Sequence, residues 1–363
     1  MTDLSKAMSN TPETPGTPPP SRTSVPLTAA SLPSVAQLIV GVIGLAVGIF
    51  CWLILGWPLI GSAVVGGLVY LVGLPAWSLA VEGKRAATDR MMTGLIWTTF
   101  VVAMVPLVSL VYTVIDKGRR AISGDFLTYS LFKTALGQPD GIYHAIMGTL
   151  IITLGAAVIS IPIGVLAAIH LVEYGKGNRL SRVVTFLVDV MTGIPSIVAG
   201  LFAFALFTLL FGPGFQGGIG GSVALSLLMI PIVVRATEEM LRLVPDDLRE
   251  ASYALGTPKW RTIMRVVLPT TIGGIITGIT LAVARVIGET APLLLIAGLA
   301  DKTNTNPFSG AMSTLPVQIY SFNSQQDTIP LAWGAALVLI VLVLVLNLAA
   351  RIIGKFFAPK TGH

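Results

Sequence analysis

The chain has 363 residues, of which 54% are hydrophobic and only 11% are charged, and its mean hydropathy is +0.84. Soluble domains carry about 25% charged residues, so this composition excludes a protein whose surface lies mostly in water. The net charge of +6 alone would suit a nucleic-acid partner. Because the basic residues are distributed as in a membrane protein, we expect lipid around the chain and predict no nucleic acid.

The first 32 residues differ from the rest, since they are rich in proline, threonine and serine and contain the run TPETPGTPPP. Such a segment cannot bury a core, and we predict a disordered tail over 1–32. Beyond it, apolar stretches recur that are long enough to cross a hydrocarbon layer of about 30 Å. Backbone exposed to lipid must satisfy its own hydrogen bonds, so the sequence predicts an all-α, polytopic helical bundle. We predict about eight spans, roughly 33–55, 58–80, 92–115, 143–172, 183–211, 218–236, 270–300 and 330–357.

The distribution of lysine and arginine predicts the orientation of these spans. With the N-terminus inside, most of the 23 basic residues fall in cytoplasmic segments. Both termini are therefore expected in the cytoplasm, in a multi-pass protein of the inner membrane. Arg285 is the only basic residue left within a predicted span. The outer segments contain Lys117, Arg119, Arg120, Lys133 and Lys302.

The inner loop 242–269 contains helix signals that an ordinary connection does not need. Pro245 and Asp246 can start a short helix. Gly256 is suited to a left-handed terminating position, and Thr257 can cap a second helix whose first residue is Pro258. The sequence thus predicts two helices joined by a glycine turn on the cytoplasmic side. Leu248, Ala251 and Leu255 fall on one face of the first helix.

Residues of this loop carry a family motif. Glu250-Ala251-Ser252, then Gly256, then Val266-x-Leu268-Pro269 have the spacing of the EAA motif of ABC-importer permeases, with Ser252 and Val266 as conservative departures. The resemblance implies a type I importer permease fold in which this element is the coupling helix that contacts a cytoplasmic ATPase. The alternative is an ordinary amphipathic loop helix. The residues implied in coupling are Glu250, Ala251, Ser252, Gly256, Leu268 and Pro269.

Longer strings narrow the resemblance to the phosphate-transport permeases of that family. They include Leu248–Trp260, Ala284–Leu294, Ile161–Gly164, Gly193–Gly200 and Leu315–Val317. The resemblance covers about 92–357, which implies a six-helix permease core (its type-1 domain about 143–357) preceded by two extra helices over 33–80. It implies import of inorganic phosphate, with a second homologous permease, a cytoplasmic ATPase dimer and an external phosphate-binding protein as partners.

No nucleotide-binding loop occurs in the sequence, since the Gly-Lys pairs ending at Lys84, Lys176 and Lys355 are not followed by Ser or Thr. We therefore expect a transport subunit and not an enzyme, with ATP bound by another polypeptide. No cofactor is expected. His144 and His170 lie near opposite ends of one span, too far apart to share a metal.

The seventh predicted span contains a charged pair, Arg285 and Glu289, at helical spacing. An arginine inside the bilayer is expected to face protein or a water-filled path. One interpretation is a buried ion pair that only fixes a helix interface. The other places both residues on the translocation path, where the guanidinium of Arg285 binds an oxyanion and Glu289 holds it when the path is empty. Asp189, a further intramembrane charge, is predicted to be structural.

Other function classes stay open at this point. A permease for another oxyanion, such as molybdate or sulfate, would share these physical features. An ion-coupled secondary transporter would be expected to show internal repeats and more membrane carboxylates. An intramembrane enzyme is disfavoured because the sequence offers no plausible nucleophile–base arrangement.

Overall fold

The computed structural model describes residues 31–132, 140–175 and 177–357, so the predicted tail over 1–32 lies almost entirely outside the described residues. The regular structure of these residues is helical throughout. The helices are α1 Ala36–Leu53, α2 Leu59–Val81, α3 Lys84–Gly118, α4 Gly124–Thr128, α5 Tyr143–Ile169, α6 Arg179–Thr192, α7 Ser196–Phe211, α8 Gly218–Arg242, α9 Asp246–Ala254, α10 Lys259–Thr262, α11 Leu268–Val286, α12 Ala291–Ile296, α13 Leu315–Asn323 and α14 Ile329–Phe357.

Seven helices in the described part of the chain are long and apolar enough to cross a membrane, which confirms an all-α, multi-pass protein. The predicted continuous span 183–211 is wrong, because α6 and α7 meet at 109° and form one broken span or a re-entrant loop. The break lies at Gly193–Pro195, where Pro195 has extended backbone (ψ 139°) and no N–H to continue the helix.

The predicted span 270–300 is also wrong in its C-terminal half. Helix α11 ends at Val286, and the short helix α12 begins only at Ala291. Pro292 therefore lies at the start of a helix, where its missing N–H is tolerated, and does not kink a longer one. Helix α7 approaches it closely, because a Cβ added to Gly200 would lie 2.5 Å from the Cα of Pro292.

The described residues form two compact units, one up to Val108 and one from Ser109. In the first unit, α1 and α2 make a hairpin whose helices touch through glycine. A Cβ on Gly44 would lie 2.6 Å from the carbonyl oxygen of Gly66, and one on Gly48 would lie 3.0 Å from that of Ser62. Glycine at Gly44 and Gly48 therefore lets the two helices approach more closely than larger side chains would allow.

Glu82, just beyond the end of α2, connects three parts of the first unit. Its carboxylate accepts hydrogen bonds from Nε and Nη2 of Arg90, both at 2.8 Å, from the hydroxyl of Ser78 at 2.7 Å and from the backbone N–H of Leu32 at 2.7 Å. These donors, Arg90 foremost, lower the pKa of Glu82 from 4.5 to about 2. The carboxylate therefore stays ionised well below the pH at which an unfolded glutamate is protonated.

We predict an acid-dependent difference between the wild type and Glu82→Gln. Because the pKa of Glu82 is lower in the folded than in the unfolded chain, its stabilisation is complete above pH 4.5 and is lost as the pH falls toward 2. The difference in thermal midpoint between the two proteins in detergent should be constant from pH 5 to 7 and should shrink below 4.5. A difference that does not change down to pH 3 would contradict this assignment.

In the second unit, α8 is the central helix and packs against α5, α6, α7 and α11. Small residues permit these contacts, as where a Cβ on Gly278 of α11 would meet the Cβ of Ala236 of α8 at 2.5 Å. A core cluster that includes Ala168, Val188, Leu241 and Val267 joins α5, α6, α8 and the segment before α11. This cluster lies where α8 leads into α9, at the base of the loop 242–269.

Candidate functional site

The loop after α8 forms the two helices that its sequence predicts. Helix α9 begins after Pro245 and carries Asp246 and Asp247 in its first turn. The chain then turns at Gly256, whose φ of +75° is in the left-handed region that favours glycine. One detail of the prediction is wrong, because Pro258 and not Thr257 occupies the position before α10, and Thr257 caps nothing.

Between α10 and α11 the helix widens into a π-helical turn, Ile263–Val267. The backbone N–H of Leu268 bonds to the carbonyl of Ile263, five residues earlier. Pro269 follows with no N–H of its own, so a regular α-helical ladder cannot continue through this position. Leu268 packs on the core cluster beneath α9. The structure thus places Leu268 and Pro269 in the connection from α10 to α11.

Arg249 anchors α9 to the transmembrane helices. Its guanidinium donates to Oε1 of Glu173 at 2.8 and 3.1 Å, to the carbonyl oxygen of Val244 at 2.7 Å and to that of Leu241 at 3.0 Å. The side chains of Arg249 and Glu173 are only 11% and 4% exposed. Glu173 lies in the π-helical turn that extends α5 to Tyr174. The first helix of the loop is therefore tied to the ends of both α5 and α8.

Ser252 joins the two short helices to each other. Its buried hydroxyl lies 2.9 Å from that of Thr262 in α10. Lys259 adds a second link, since its ammonium donates to the carbonyl oxygen of Glu173 and lies 5.0 Å from the ring centre of Tyr174. The structure therefore directs Ser252 inward, where it holds the element together, although it belongs to the motif that predicts ATPase coupling.

The opposite side of α9 and α10 is exposed and partly apolar. Leu255 is 86% exposed and Trp260 57% exposed, although neither is polar. Exposed apolar side chains on a rigidly anchored element are typical of a protein interaction surface. We call this surface the coupling face and define it by the exposed residues Leu248, Glu250, Ala251, Leu255, Gly256 and Trp260.

Arg285 lies in the last turn of α11, and Glu289 lies beyond the end of that helix. The expected Arg285–Glu289 ion pair is wrong, because no ion pair within 4.0 Å involves either residue among the described residues. The i, i+4 geometry is lost where the helix ends. Arg285 is exposed in the single chain, as is Leu281 one turn earlier, so this side of α11 is not covered by the described residues of the chain itself.

A charged network that no sequence prediction included joins α6 to α8. Asp189 pairs with Arg235, and Arg235 also donates to Glu238 at 2.7 Å. Glu238, whose side chain is 6% exposed, accepts a further bond of 2.6 Å from Arg242. The structural role predicted for Asp189 is thus fulfilled through its ion pair with Arg235 of α8. The part of this network within α8 could have been predicted from the sequence, because Arg235, Glu238 and Arg242 lie on one helix face at i, i+3 and i, i+4 spacing.

No metal site is formed by the described side chains, among which no group of three His, Cys, Asp or Glu could hold an ion. His144 is buried at the N-terminal end of α5 and lies 3.3 Å, through Nε2, from the side-chain oxygen of Gln318. This contact joins α5 to α13 and gives His144 a packing role.

Comparison with known sequences identifies the family of the chain. Residues 160–363 match the family of the binding-protein-dependent transport system inner membrane component. The chain is 48% identical over 281 residues to the phosphate transport system permease protein PstA 1 of Mycobacterium tuberculosis H37Rv, covering 76% of this chain and 90% of the relative. It is 38% identical to the PstA protein of Yersinia pestis, covering 77% of this chain and 93% of the relative.

Solved structures of bacterial alginate ABC transporters share the fold. One of them is in complex with a periplasmic protein bound to an alginate pentasaccharide. Its TM-score is 0.52 at 17% sequence identity, and the match covers 76% of this chain and 97% of the solved chain. Another has a TM-score of 0.50 at 17% sequence identity, and the match covers 77% of this chain and 100% of the solved chain. The family match and the similarity to the two PstA proteins show that the chain belongs to the family of binding-protein-dependent transport system inner membrane components.

Proposed function

We propose that the chain is the permease subunit of an ABC importer that carries inorganic phosphate into the cytoplasm. The observation that carries this proposal is the coupling face, an exposed apolar surface on two short helices that Arg249 anchors to α5 and α8. An element built in this way is suited to receive force from a separate subunit. Phosphate as the substrate is supported by relatives that are named phosphate transport permeases. This chain matches them over 90% and 93% of their length.

The partners follow from this role. A PstB-like ATPase dimer would contact the coupling face in the cytoplasm, and a PstC-like permease would pack beside this one. A PstS-like binding protein would deliver phosphate from outside. This arrangement places both termini in the cytoplasm and the chain in the inner membrane, in accord with the distribution of lysine and arginine.

The structure suggests how movement would pass from the ATPase to the path. Closure of the ATPase dimer would displace α9, and the Arg249–Glu173 contact would transmit this displacement to α5. The same displacement reaches α11 through the Ser252–Thr262 bond and the π-helical turn. Helix α11 carries Arg285 on its uncovered side, where a second permease would complete the path. Such rocking of helix bundles is the usual basis of alternating access.

Arg285 is suited to phosphate because its planar fork matches the oxygens of an oxyanion. Since no carboxylate of the described chain neutralises it, its donors are available to a passing anion. Glu289, half-buried just beyond the helix, stays in our proposal as a second path residue. Sulfate or molybdate would meet the same chemistry. Uptake of radiolabelled phosphate in proteoliposomes, challenged with sulfate and arsenate, distinguishes these substrates, and equal inhibition by sulfate would contradict phosphate specificity.

Gly256→Arg should abolish co-purification of the ATPase while the permease remains in the membrane. A long charged side chain at this exposed turn would obstruct the coupling face, and the left-handed backbone adds about 1–2 kcal/mol of strain. The measurement is a pull-down of the assembled complex from detergent-solubilised membranes.

Gly83→Arg is the matched control. Gly83 also has a positive φ, of +95°, and open space where a Cβ would stand, but it lies in the turn between α2 and α3. It should carry the same strain and still retain the ATPase. Equal retention of the ATPase by both variants would contradict docking at Gly256.

A further inference from the structure

The first unit contains a cavity of about 460 Å³ beside the turn between α2 and α3. Glu82 and Asp89 line the end of the cavity at this turn. Trp97 lines it eight residues beyond Asp89, which is about 12 Å along α3. Tyr70 of α2 adds a second aromatic ring to the lining. The cavity therefore has an acidic end and an aromatic end.

Three polar side chains of the lining are not used by the helices that carry them. Within the described part of the chain their side chains make no hydrogen bond, and they are Gln37 of α1, Tyr70 of α2 and Thr93 of α3. Their donors are available to the carbonyl oxygens of an occupant. A lipid acyl chain would offer these donors no acceptor, so the lining does not match hydrocarbon.

One carboxylate of the cavity is unpaired. Glu82 neutralises Arg90 through two hydrogen bonds of 2.8 Å. Asp89 is exposed and has no ion pair within 4.0 Å among the side chains that the structure describes. The lining thus carries one more negative than positive charge, and the charge in excess lies at Asp89. An occupant with one cationic group matches this end.

The polypeptide itself enters the described structure at this cavity. The backbone N–H of Leu32 donates to the carboxylate of Glu82 at 2.7 Å, and Leu32 is buried. The residues that precede Ser31, which lie outside the described residues, are therefore joined to the chain at the acidic end. A short tether gives a segment an effective concentration on the order of 1 mM at a nearby site, so that even a weak site is filled.

The sequence before Leu32 has the chemistry that the cavity lacks. Arg22 is the only charged residue between Glu13 and Glu82. Three consecutive prolines, 18–20, precede it by two to four positions. Proline-rich segments bind to grooves lined with aromatic side chains. Prolines also present carbonyl acceptors without an N–H that would need a partner.

We propose that residues 18–22 of this chain bind in the cavity. The guanidinium of Arg22 lies at Asp89, and the prolines pack against the rings of Trp97 and Tyr70. A segment that cannot form a core of its own can still become ordered on a preformed surface. The interaction does not depend on the identity of the transported substrate.

The lengths of the segment and of the cavity agree. In the extended conformation of proline runs each residue spans about 3.1 Å, so Pro18 lies about 12 Å from Arg22. That distance equals the separation of about 12 Å between Asp89 and Trp97 along α3. The ten residues from Arg22 to Leu32 can span up to about 33 Å, so they close the loop without stretching.

Trypsin cleavage of the full chain, purified in its complex, tests the proposal. The residues before Leu32 contain two cleavage sites, after Lys6 and after Arg22. Because proteolysis follows the population of the open form, cleavage after Arg22 should be roughly tenfold slower than after Lys6, which lies outside the proposed segment. Asp89→Asn should speed cleavage after Arg22 by roughly threefold, as expected for an exposed ion pair, and should not affect Lys6. Trp97→Ala should have the larger effect.

Two matched controls keep the outcome specific. Asp125→Asn changes an exposed acid outside the cavity, and Ile96→Ala truncates an exposed neighbour of Trp97 that does not line it. Both should be cleaved like the wild type. Cleavage after Arg22 that is the same in the wild type, Asp89→Asn and Trp97→Ala would overturn the proposal.

Photo-crosslinking from position 20 identifies the occupant directly. A photoreactive residue there should be linked to α2 or α3 of the same chain. Arg22→Glu should reduce the yield of this product, and Asp89→Arg combined with Arg22→Glu should restore it because the two charges are exchanged. Cross-links to lipid or to another subunit in place of α2 and α3, or no restoration by the charge exchange, would contradict the assigned contact.

Discussion

Arg249→Ala is expected to reduce substrate uptake by about 100-fold or more while the chain still inserts into the membrane. The substitution leaves the carboxylate of Glu173 buried without its guanidinium and removes donors from the carbonyl oxygens of Leu241 and Val244. Removing one partner of a buried pair destabilises by roughly 3–5 kcal/mol, so α9 should lose its fixed position on α5 and α8. The measurements, made in proteoliposomes, are the rate of phosphate uptake and the transport ratio, which is the number of phosphate ions transported per ATP hydrolysed.

Two variants separate coupling from simple loss of charge. Arg265→Ala removes an exposed arginine from the π-helical turn of the same loop and should leave the transport ratio near that of the wild type. Arg249→Lys keeps the charge but cannot supply the same fork of donors, and should give an intermediate ratio. A wild-type transport ratio in Arg249→Ala would contradict the transmission of movement through Glu173.

Arg285→Ala is expected to abolish uptake while assembly with the ATPase remains intact. Because Arg285 makes no ion pair within the described chain, its removal leaves no buried carboxylate unpaired and should not destabilise the fold. The effect should therefore fall on binding of the anion in the path. Arg285→Lys should retain weak uptake, since a lysine offers the charge without the planar fork.

Leu281→Ala is the matched control for Arg285. Leu281 is 68% exposed on α11, one turn earlier, and its truncation should change uptake little. The measurements are the initial rate of phosphate uptake and the amount of ATPase that co-purifies with each variant. Normal uptake by Arg285→Ala would remove this residue from the path, and loss of the ATPase would instead assign it a structural role.

The coupling element was predictable because its signals are local. Pro245 starts α9, Gly256 supplies the left-handed turn, and the acids of the first turn suit the helix N-terminus. Each of these signals acts within a few residues of its effect. The family motif also includes Ser252, which faces inward. Its bond to Thr262 shows that a motif residue can stabilise the element itself.

The anchor of that element was not predictable from local signals. Glu173 and Arg249 are 76 residues apart, and nothing near Glu173 distinguishes it from an ordinary interfacial acid. The same limit applies to Arg285 and Glu289, whose helical spacing predicted a pair. The helix ends at Val286 between them, in a stretch apolar enough to resemble a continuous span. Hydropathy measures the length of an apolar segment but not where its backbone breaks.

The most direct test of the account is where the coupling face lies in the assembled importer. Cys51 is the only cysteine of the chain, so Cys51→Ser with Leu255→Cys provides one exposed thiol at that face. We predict that a short bismaleimide links it to the ATPase subunit, and that a membrane-impermeant maleimide labels it only from the cytoplasmic side when the ATPase is removed. Labelling from the outer side, or free labelling in the intact complex with no cross-link, would contradict the account.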